Sequence, residues 1–351
     1  MATFRGRRLQ IDVYGESHAE AVGAVVKGLP DMTYDAEELR RFMARRKASS
    51  AAYSTQRVEA DEPVLKGAHD GHVGGDLEIV IANTNVRSGD YAALYGKPRP
   101  SHADYAWYAK EGTLDFAGGG RFSARLTAPL TALGGLCKQY LAQKGVTVEA
   151  YISAIGKVRG LSYKDADFDL DAIHTPENAF PSPKAAREMQ AEIVAAKSAG
   201  DSVGGRIECV VRHLPAGIGD NLFEGLEGKI ATLLYAIPAV KGVEFGAGFN
   251  LAAMRGSEAN DALYYDADKV CFATNRAGGI NGGISNGNYL AMGVAMRPTP
   301  SIALPQRTVD LVAHRDTVIR IEGRHDACVV PRAVAVVEAA VSIALVDEMA
   351  E

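Results

Sequence analysis

Apolar residues recur along this chain at two spacings. Residues 123–144 open polar and then carry Leu130, Leu133, Leu136 and Leu141 at helical intervals, a helix that Gly145 stops. Residues 146–155 and 206–212 alternate apolar and polar positions, the period of a strand, and 77–82 reads as a short apolar strand. Residues 36–46 have helical character and end in the basic run Arg45-Arg46-Lys47. Further helices are expected over 185–199, over 222–236 and after Pro331. Strands and helices mix without a regular βαβ rhythm, so the expected class is α+β rather than a doubly wound parallel sheet. The densest punctuation is Gly118-Gly119-Gly120 and Gly278-Gly279-Ile280-Asn281-Gly282-Gly283, read as tight backbone passages inside a domain. With no repeat, low-complexity tract or long linker, a single domain over 1–351 is expected.

Composition narrows the class of function. With 47% hydrophobic and 23% charged residues among 351, the chain has ordinary globular composition and can bury a core without disulfides or metals. Cys137, Cys209, Cys271 and Cys328 stand far apart with no CxxC pair, which argues against a zinc ribbon or a disulfide framework and fits a reducing cytosol. Residues 1–10 are polar, with Arg5, Arg7 and Arg8, and lack the apolar stretch of a signal peptide, so a cytoplasmic protein is expected. Arg332, Glu338 and Asp347 interrupt the most apolar segment, 329–349, which reads as a packed helix rather than a membrane span. A formal net charge of -5 argues against nucleic-acid binding. Any anionic ligand must then be held by a local group of arginines.

Nucleotide cradles are not supported. Gly246-Ala247-Gly248 is followed by Leu251 where a dinucleotide fingerprint needs its third glycine, and Gly228-Lys229 by Ile230 where a P-loop needs Ser or Thr. No HExxH occurs, and no metal site is expected. What remains is four segments that combine Arg or His with Gly, Ser and Asp. They are Gly15-Glu16-Ser17-His18; Arg99-Pro100-Ser101-His102-Ala103-Asp104-Tyr105; Gly118-Gly119-Gly120-Arg121-Phe122-Ser123-Ala124-Arg125; and Gly323-Arg324-His325-Asp326. Glycines let a backbone approach a ligand and leave its N–H groups free, arginine matches carboxylate and phosphate with two parallel hydrogen bonds, and histidine exchanges protons near neutrality. Taken singly, each has a structural explanation: a surface histidine, a turn, a solvated helix end, or an ion pair between Asp326 and a nearby arginine.

Taken together and in this order, they resemble the chorismate synthase family. The resemblance runs from near residue 5 to near residue 348. It also rests on Ser54-Thr55-Gln56-Arg57-Val58-Glu59-Ala60-Asp61, on Asn83-Thr84-Asn85-Val86-Arg87-Ser88-Gly89-Asp90-Tyr91 and on Ile237-Pro238-Ala239-Val240-Lys241-Gly242-Val243-Glu244. Ala277-Gly278-Gly279-Ile280, Gly282-Gly283-Ile284-Ser285, Arg297-Pro298-Thr299 and Arg324-His325-Asp326 complete it. The chain departs from the common family pattern at Ala19, Ala52, Phe122, Leu126 and Ala327.

The resemblance implies a β-α-β sandwich assembled as a homotetramer. It also implies a reaction, the redox-neutral 1,4-anti elimination of phosphate from 5-enolpyruvylshikimate 3-phosphate (EPSP), that requires reduced FMN (FMNH2). By resemblance, His18 protonates the departing phosphate, His102 lies near the flavin, Asp326 relays a proton through flavin N5, and Ser17 and Ser123 bridge these groups. Arg46, Arg125 and Arg324, with Arg45 and Arg57, are the implied substrate contacts. Arg121, Phe122, Ser123, Pro238, Ala239, Gly282, Arg297, Pro298, Thr299, Pro300, Ser301 and Arg324 are the implied FMN contacts. Length and the absence of large insertions point to an external source of reduced flavin. Two competing readings stay open: a flavin-dependent oxidoreductase, and a non-catalytic binder of FMN or phosphorylated metabolites.

Overall fold

A computed structural model describes residues 1–17, 19–47, 59–84, 94–116, 119–165, 180, 183–321 and 326–350. One antiparallel sheet is built from β1 (Ala2–Arg5), β2 (Gln10–Gly15), β3 (Ala21–Thr33), β4 (Val64–Lys66) and β5 (His72–Ala82), in the order β1-β2-β3-β5-β4. A second, also antiparallel, takes β6 (Thr147–Ile155), β7 (Val158–Arg159), β8 (Gly205–Arg212), β9 (Val240–Phe245) and, after four short strands, β14 (Leu290–Met296). Its order is β7-β6-β8-β14-β9. Among the described residues, three hairpins lie outside both sheets: β10 (Leu263–Asp266) with β11 (Lys269–Phe272), β12 (Ile280–Asn281) with β13 (Ile284–Ser285), and β15 (Gln306–Asp310) with β16 (Arg315–Ile319).

Between the sheets lie two long helices, α3 (Thr127–Gln143) and α7 (Val330–Met349), packed against each other. α3 rests on β3 and β5, and α7 on β6 and β8, which gives the β-α-β layering. α1 (Ala36–Ala44) packs on α3, and α5 (Leu226–Tyr235) on α7 and β9. α2 (Asp104–Glu111), α4 (Pro183–Ser198) and α6 (Gly256–Ala259) are the other α-helices among the described residues.

The sequence explains this stacking. Val22, Ala24 and Val26 of β3 and Leu77, Ile79 and Ile81 of β5 point into one core together with Leu133, Leu136 and Leu141 of α3. α7 is buried around almost its whole circumference, as an apolar helix in a central layer must be. Each of the charges that interrupt it has a partner. Arg332 pairs with Asp326 at 2.8 Å; Glu338 takes Arg45 and Lys138, all at 2.7 Å; and Asp347 accepts the backbone N–H groups of Arg7, Arg8 and Leu9. Among the described residues, no helix is long and apolar enough to cross a membrane.

Two expected helices begin later than their periodicity suggests. The 123–144 segment opens on a 3-10 turn, Ala124–Leu126, which extended Ser123 separates from a preceding 3-10 turn, Gly120–Phe122, and the Ser123 Oγ accepts the Arg125 N–H at 3.2 Å. The 222–236 segment is a 3-10 turn, Leu222–Glu224, then an extended Gly225, then α5. The first of these breaks matters most, because it bends Arg125 off the axis of α3.

Candidate active site

The polar end of this architecture is the N-terminal end of α3. α1 is aligned against α3 by Gln139, whose side chain accepts the Asp35 N–H and donates to the Asp35 carbonyl, while Asp35 caps α1 by accepting from Glu37 and Glu38. The far end of α1 then delivers Arg45 and Arg46. The two side chains part. Arg45 gives both terminal nitrogens to buried Glu338 and lies over the Phe42 ring. Arg46 turns inward to Asp61, Thr127 and the Ala124 carbonyl.

Asp61 is the hub. It is 2% exposed, and each carboxylate oxygen takes one guanidinium, Arg46 on Oδ2 and Arg125 on Oδ1. Burial pushes its carboxyl up, but Arg46 and Arg125 outweigh burial and hold it below the ordinary carboxylate value. Arg46 is pushed down to about 10 by burial and by neighbouring Arg332 and Arg125, against the pull of Asp61. Arg125 also donates to Asn83 Oδ1 at 2.6 Å and to the Ala82 carbonyl at 3.0 Å. The Asn83 amide donates onward to the carbonyls of Glu16 and Ala19, and so fixes the turn between β2 and β3. Gly15 opens that turn at φ 92, and a Cβ there would lie 2.4 Å from the Ala21 carbonyl.

From Arg46 the contacts continue around a closed circuit. Arg332 donates to the Arg46 carbonyl at 3.2 Å and to Asp326. The Asp326 carbonyl accepts from Thr299 Oγ1 at 2.6 Å, and Arg297, two residues back, donates to the Ser101 carbonyl. The Arg297 N–H is held by the carbonyl of Ala239, at 2.9 Å. Ser101 leads to His102, whose Nδ1 meets Asp104 at the start of α2. α2 carries Trp107, the chain's one tryptophan, with Arg121 4.7 Å over its ring and the Phe122 ring edge-on at 5.4 Å. The Gly120 carbonyl then accepts the Ser17 N–H at 3.3 Å, which returns the circuit to the β2–β3 turn. Asp61, Ser101 and Ala239 all stand in the left-handed region, at φ 50, 59 and 76, a local strain that the surrounding contacts hold in place.

The electrostatics favour an anion. Three guanidiniums, from Arg46, Arg125 and Arg332, face two carboxylates, Asp61 and Asp326, beside the N-terminus of a long helix. The Ser17 Oγ is buried and makes no hydrogen bond among the described residues, as a hydroxyl that meets a ligand atom would.

Comparison with known proteins identifies the family. The chorismate synthase family model matches residues 9–350. The chorismate synthase of Thermococcus kodakarensis is 41% identical over 350 residues, covering 98% of this chain and 97% of that protein. That of Archaeoglobus fulgidus is 42% identical over 352 residues, covering 99% and 97%. The chain belongs to the chorismate synthase family. A crystal structure titled chorismate synthase shares the fold with a TM-score of 0.74, covering 98% of this chain and 92% of that one at 24% identity.

Family membership gives each expected residue a place to be compared with. His102, Asp326, Ser17, Ser123, Arg46, Arg125, Arg121, Phe122, Ala239, Arg297 and Thr299 all stand on the circuit. Pro238 flanks Ala239; Pro298 packs on Gly204, and Pro300 and Ser301 extend the same segment toward Gln306. Gly282 heads the β12–β13 turn, which docks where the Leu226 N–H meets the Gly283 carbonyl. Arg45 is committed to Glu338. His18, Arg57 and Arg324 lie outside the described residues, as does Ala52. Sequence reasoning gave no role to Asp61, Asn83, Asp104, Arg99 or Arg332. Asp104 stands in the segment that supplies its partners Arg99 and His102, whereas Asp61, Arg46 and Arg125 come from three separate segments that only the fold brings together.

Proposed function

We propose that the chain is a carbon–oxygen lyase that eliminates phosphate from EPSP to give chorismate, with reduced FMN as cofactor. One observation carries the reading. The buried, net-positive Asp61 cluster at the α3 N-terminus sits on the same circuit of contacts as His102 and Asp326. EPSP bears two carboxylates and a phosphate, and burying such an anion without cations would cost many kcal/mol.

The residues present fit FMN. Ser17 offers a buried hydroxyl that has no partner among the described residues, Trp107 and Phe122 meet edge to face with the Arg121 guanidinium over the indole, and the Ala239 carbonyl and Arg297 N–H close a backbone contact on the same circuit. Reduced FMN, when bound, supplies electron density to an elimination that is redox-neutral overall.

The chain's own groups do the rest. Arg46 and Arg125 hold the anion, and Asp61 keeps their guanidinium planes fixed so that their donors need not reorganise. In the elimination the C3–O bond to phosphate and the C6–H bond break and a new C=C bond forms. His18 donates a proton to the leaving phosphate, and Asp326 is the terminal acceptor for the proton lost from C6. Arg332 orients Asp326. Reduced flavin comes from an external source, and the working form is a cytoplasmic homotetramer.

Product analysis tests this. Purified protein incubated anaerobically with EPSP and photoreduced FMN should release chorismate and phosphate in equal amounts. An oxidised product would point to an oxidoreductase, and no product to a binding protein.

A further inference from the structure

The contact between His102 and Asp104 has a consequence for which nitrogen of His102 can work. Asp104 is the first residue of α2 and is buried, 6% exposed. Its carboxylate collects four donors. Oδ2 takes the Arg99 backbone N–H at 2.9 Å and Nε at 2.7 Å, while Oδ1 takes Arg99 Nη2 at 2.8 Å and His102 Nδ1. Burial pushes the Asp104 carboxyl up, but Arg99 and His102 outweigh it and hold it at about 2. It is therefore ionised at any working pH, and an ionised carboxylate only accepts.

Arg99 Nη2 also lies 3.2 Å from His102 Nδ1. Nδ1 cannot accept from the guanidinium and donate to the carboxylate at once. The closer, charge-assisted contact to Asp104 prevails, and Arg99 Nη2 is satisfied by Asp104 Oδ1 and by the Phe116 carbonyl at 3.3 Å. The loop itself cannot turn to relieve the contact. Ser101 is in the left-handed region, Arg297 holds its carbonyl, and the His102 N–H is held by the Arg99 carbonyl.

We propose that Asp104 is a positioning residue that fixes His102 as the Nδ1–H tautomer and leaves Nε2, on the far side of the ring, as the nitrogen that exchanges a proton at the bound ligands. This rests on the proposed function for what the ligands are, but the tautomer itself does not. Arg99 acts one step further out by locking the plane of the carboxylate through two side-chain donors and its own N–H. The arrangement has the logic of a carboxylate-oriented imidazole, in which the orienting acid does not itself take the proton.

Nitrogen-15 NMR of full-length protein labelled at histidine tests it, with the His102 signals assigned by their loss in His102→Gln. Above the imidazole titration, wild-type His102 should show Nδ1 in the N–H range and Nε2 in the lone-pair range. The reverse assignment would overturn the proposal, with no variant needed beyond the assignment. In Asp104→Asn the amide can donate to Nδ1, so the Nε2–H form should become populated; an unchanged tautomer would also overturn it. Asp104→Glu should keep the wild-type tautomer. With EPSP and reduced FMN, Asp104→Asn should lower kcat on the order of 10–100-fold with KM little changed, as outer partners of a working imidazole do. A wild-type protein that makes no chorismate would sink the functional reading and leave the tautomer measurement standing.

Discussion

At the scale of single residues, Asp61 explains why two arginines can be buried side by side. Each guanidinium has one oxygen of the same carboxylate, so neither can be removed without leaving the others unbalanced. Arg125→Ala should weaken EPSP binding by about 2–5 kcal/mol in calorimetric titration, and Arg125→Lys should recover only part, because an ammonium lacks the planar fork. Wild-type affinity in the alanine variant would place Arg125 outside the site. Asp326 is paired with Arg332, so a purely structural role is a real competitor to proton relay. Asp326→Asn keeps the shape but cannot accept a proton. Single-turnover rates should fall by about 10²–10⁴-fold while EPSP and FMN still bind, whereas a structural residue would show lost affinity and a restored rate at saturation. Arg46, Arg125 and His102 were named from the sequence only through their resemblance to family motifs, since singly each reads as a helix end, a turn or a surface residue. Asp61 and Asp104 were not, since a carboxylate in a cation-rich motif declares its role only when its partners are located. Arg332 was visible only as an interruption of an apolar helix.

At the scale of elements, the central contact is between α3 and α7. Gly134 of α3 faces Ala339 of α7, and a Cβ on Gly134 would lie 2.2 Å from the Ala339 Cβ and 2.3 Å from its Cα. Gly134→Ala would gain about 1 kcal/mol of helix propensity. The obstruction is backbone, which cannot rotate away, and overpacking of this kind costs about 1–3 kcal/mol, more if the helices must separate. The clash should win, giving a lower urea midpoint; a midpoint above wild type would show that the helices slide apart freely. The long helices were legible, α3 by the spacing of its leucines and α7 as an apolar run broken only by single charges. The first sheet was not, apart from 77–82. β3 changes register between Val26 and Leu29 and again between Leu29 and Met32, around Gly28 and Pro30, so its alternation never persists long enough to be read. The helix expected from 123 starts at Thr127 because Ser123 caps a separate turn, a local hydrogen bond that periodicity does not encode.

For the whole molecule, buried carboxylates tie the layers together and set the pH range of stability. Glu338 of α7 receives Arg45 at the end of α1, Lys138 of α3 and the Ala150 N–H of β6, spanning both helices and one sheet. Burial pushes its carboxyl up, but Lys138 and Arg45 outweigh that and bring it down to about 2. A carboxyl lower in the folded than in the unfolded chain stabilises fully above its unfolded pKa, and that contribution is lost as pH falls toward the folded value. Urea midpoints should therefore hold from neutrality to about pH 5 and then fall steeply toward pH 2, and Glu338→Gln should start lower and fall less. An equally steep acid limb in that variant would show that Glu338 is not the linkage. The same architecture brings His102, Asp326 and the Asp61 cluster onto one circuit, and the proposed function requires that assembly to act without net redox change. The most direct test counts flavin electrons against product. EPSP is mixed anaerobically with a limiting amount of photoreduced FMN and the protein, while flavin absorbance and chorismate are followed together. Many chorismate molecules should form per flavin, with the flavin still reduced when EPSP is exhausted; one flavin oxidised for each product molecule would contradict the account.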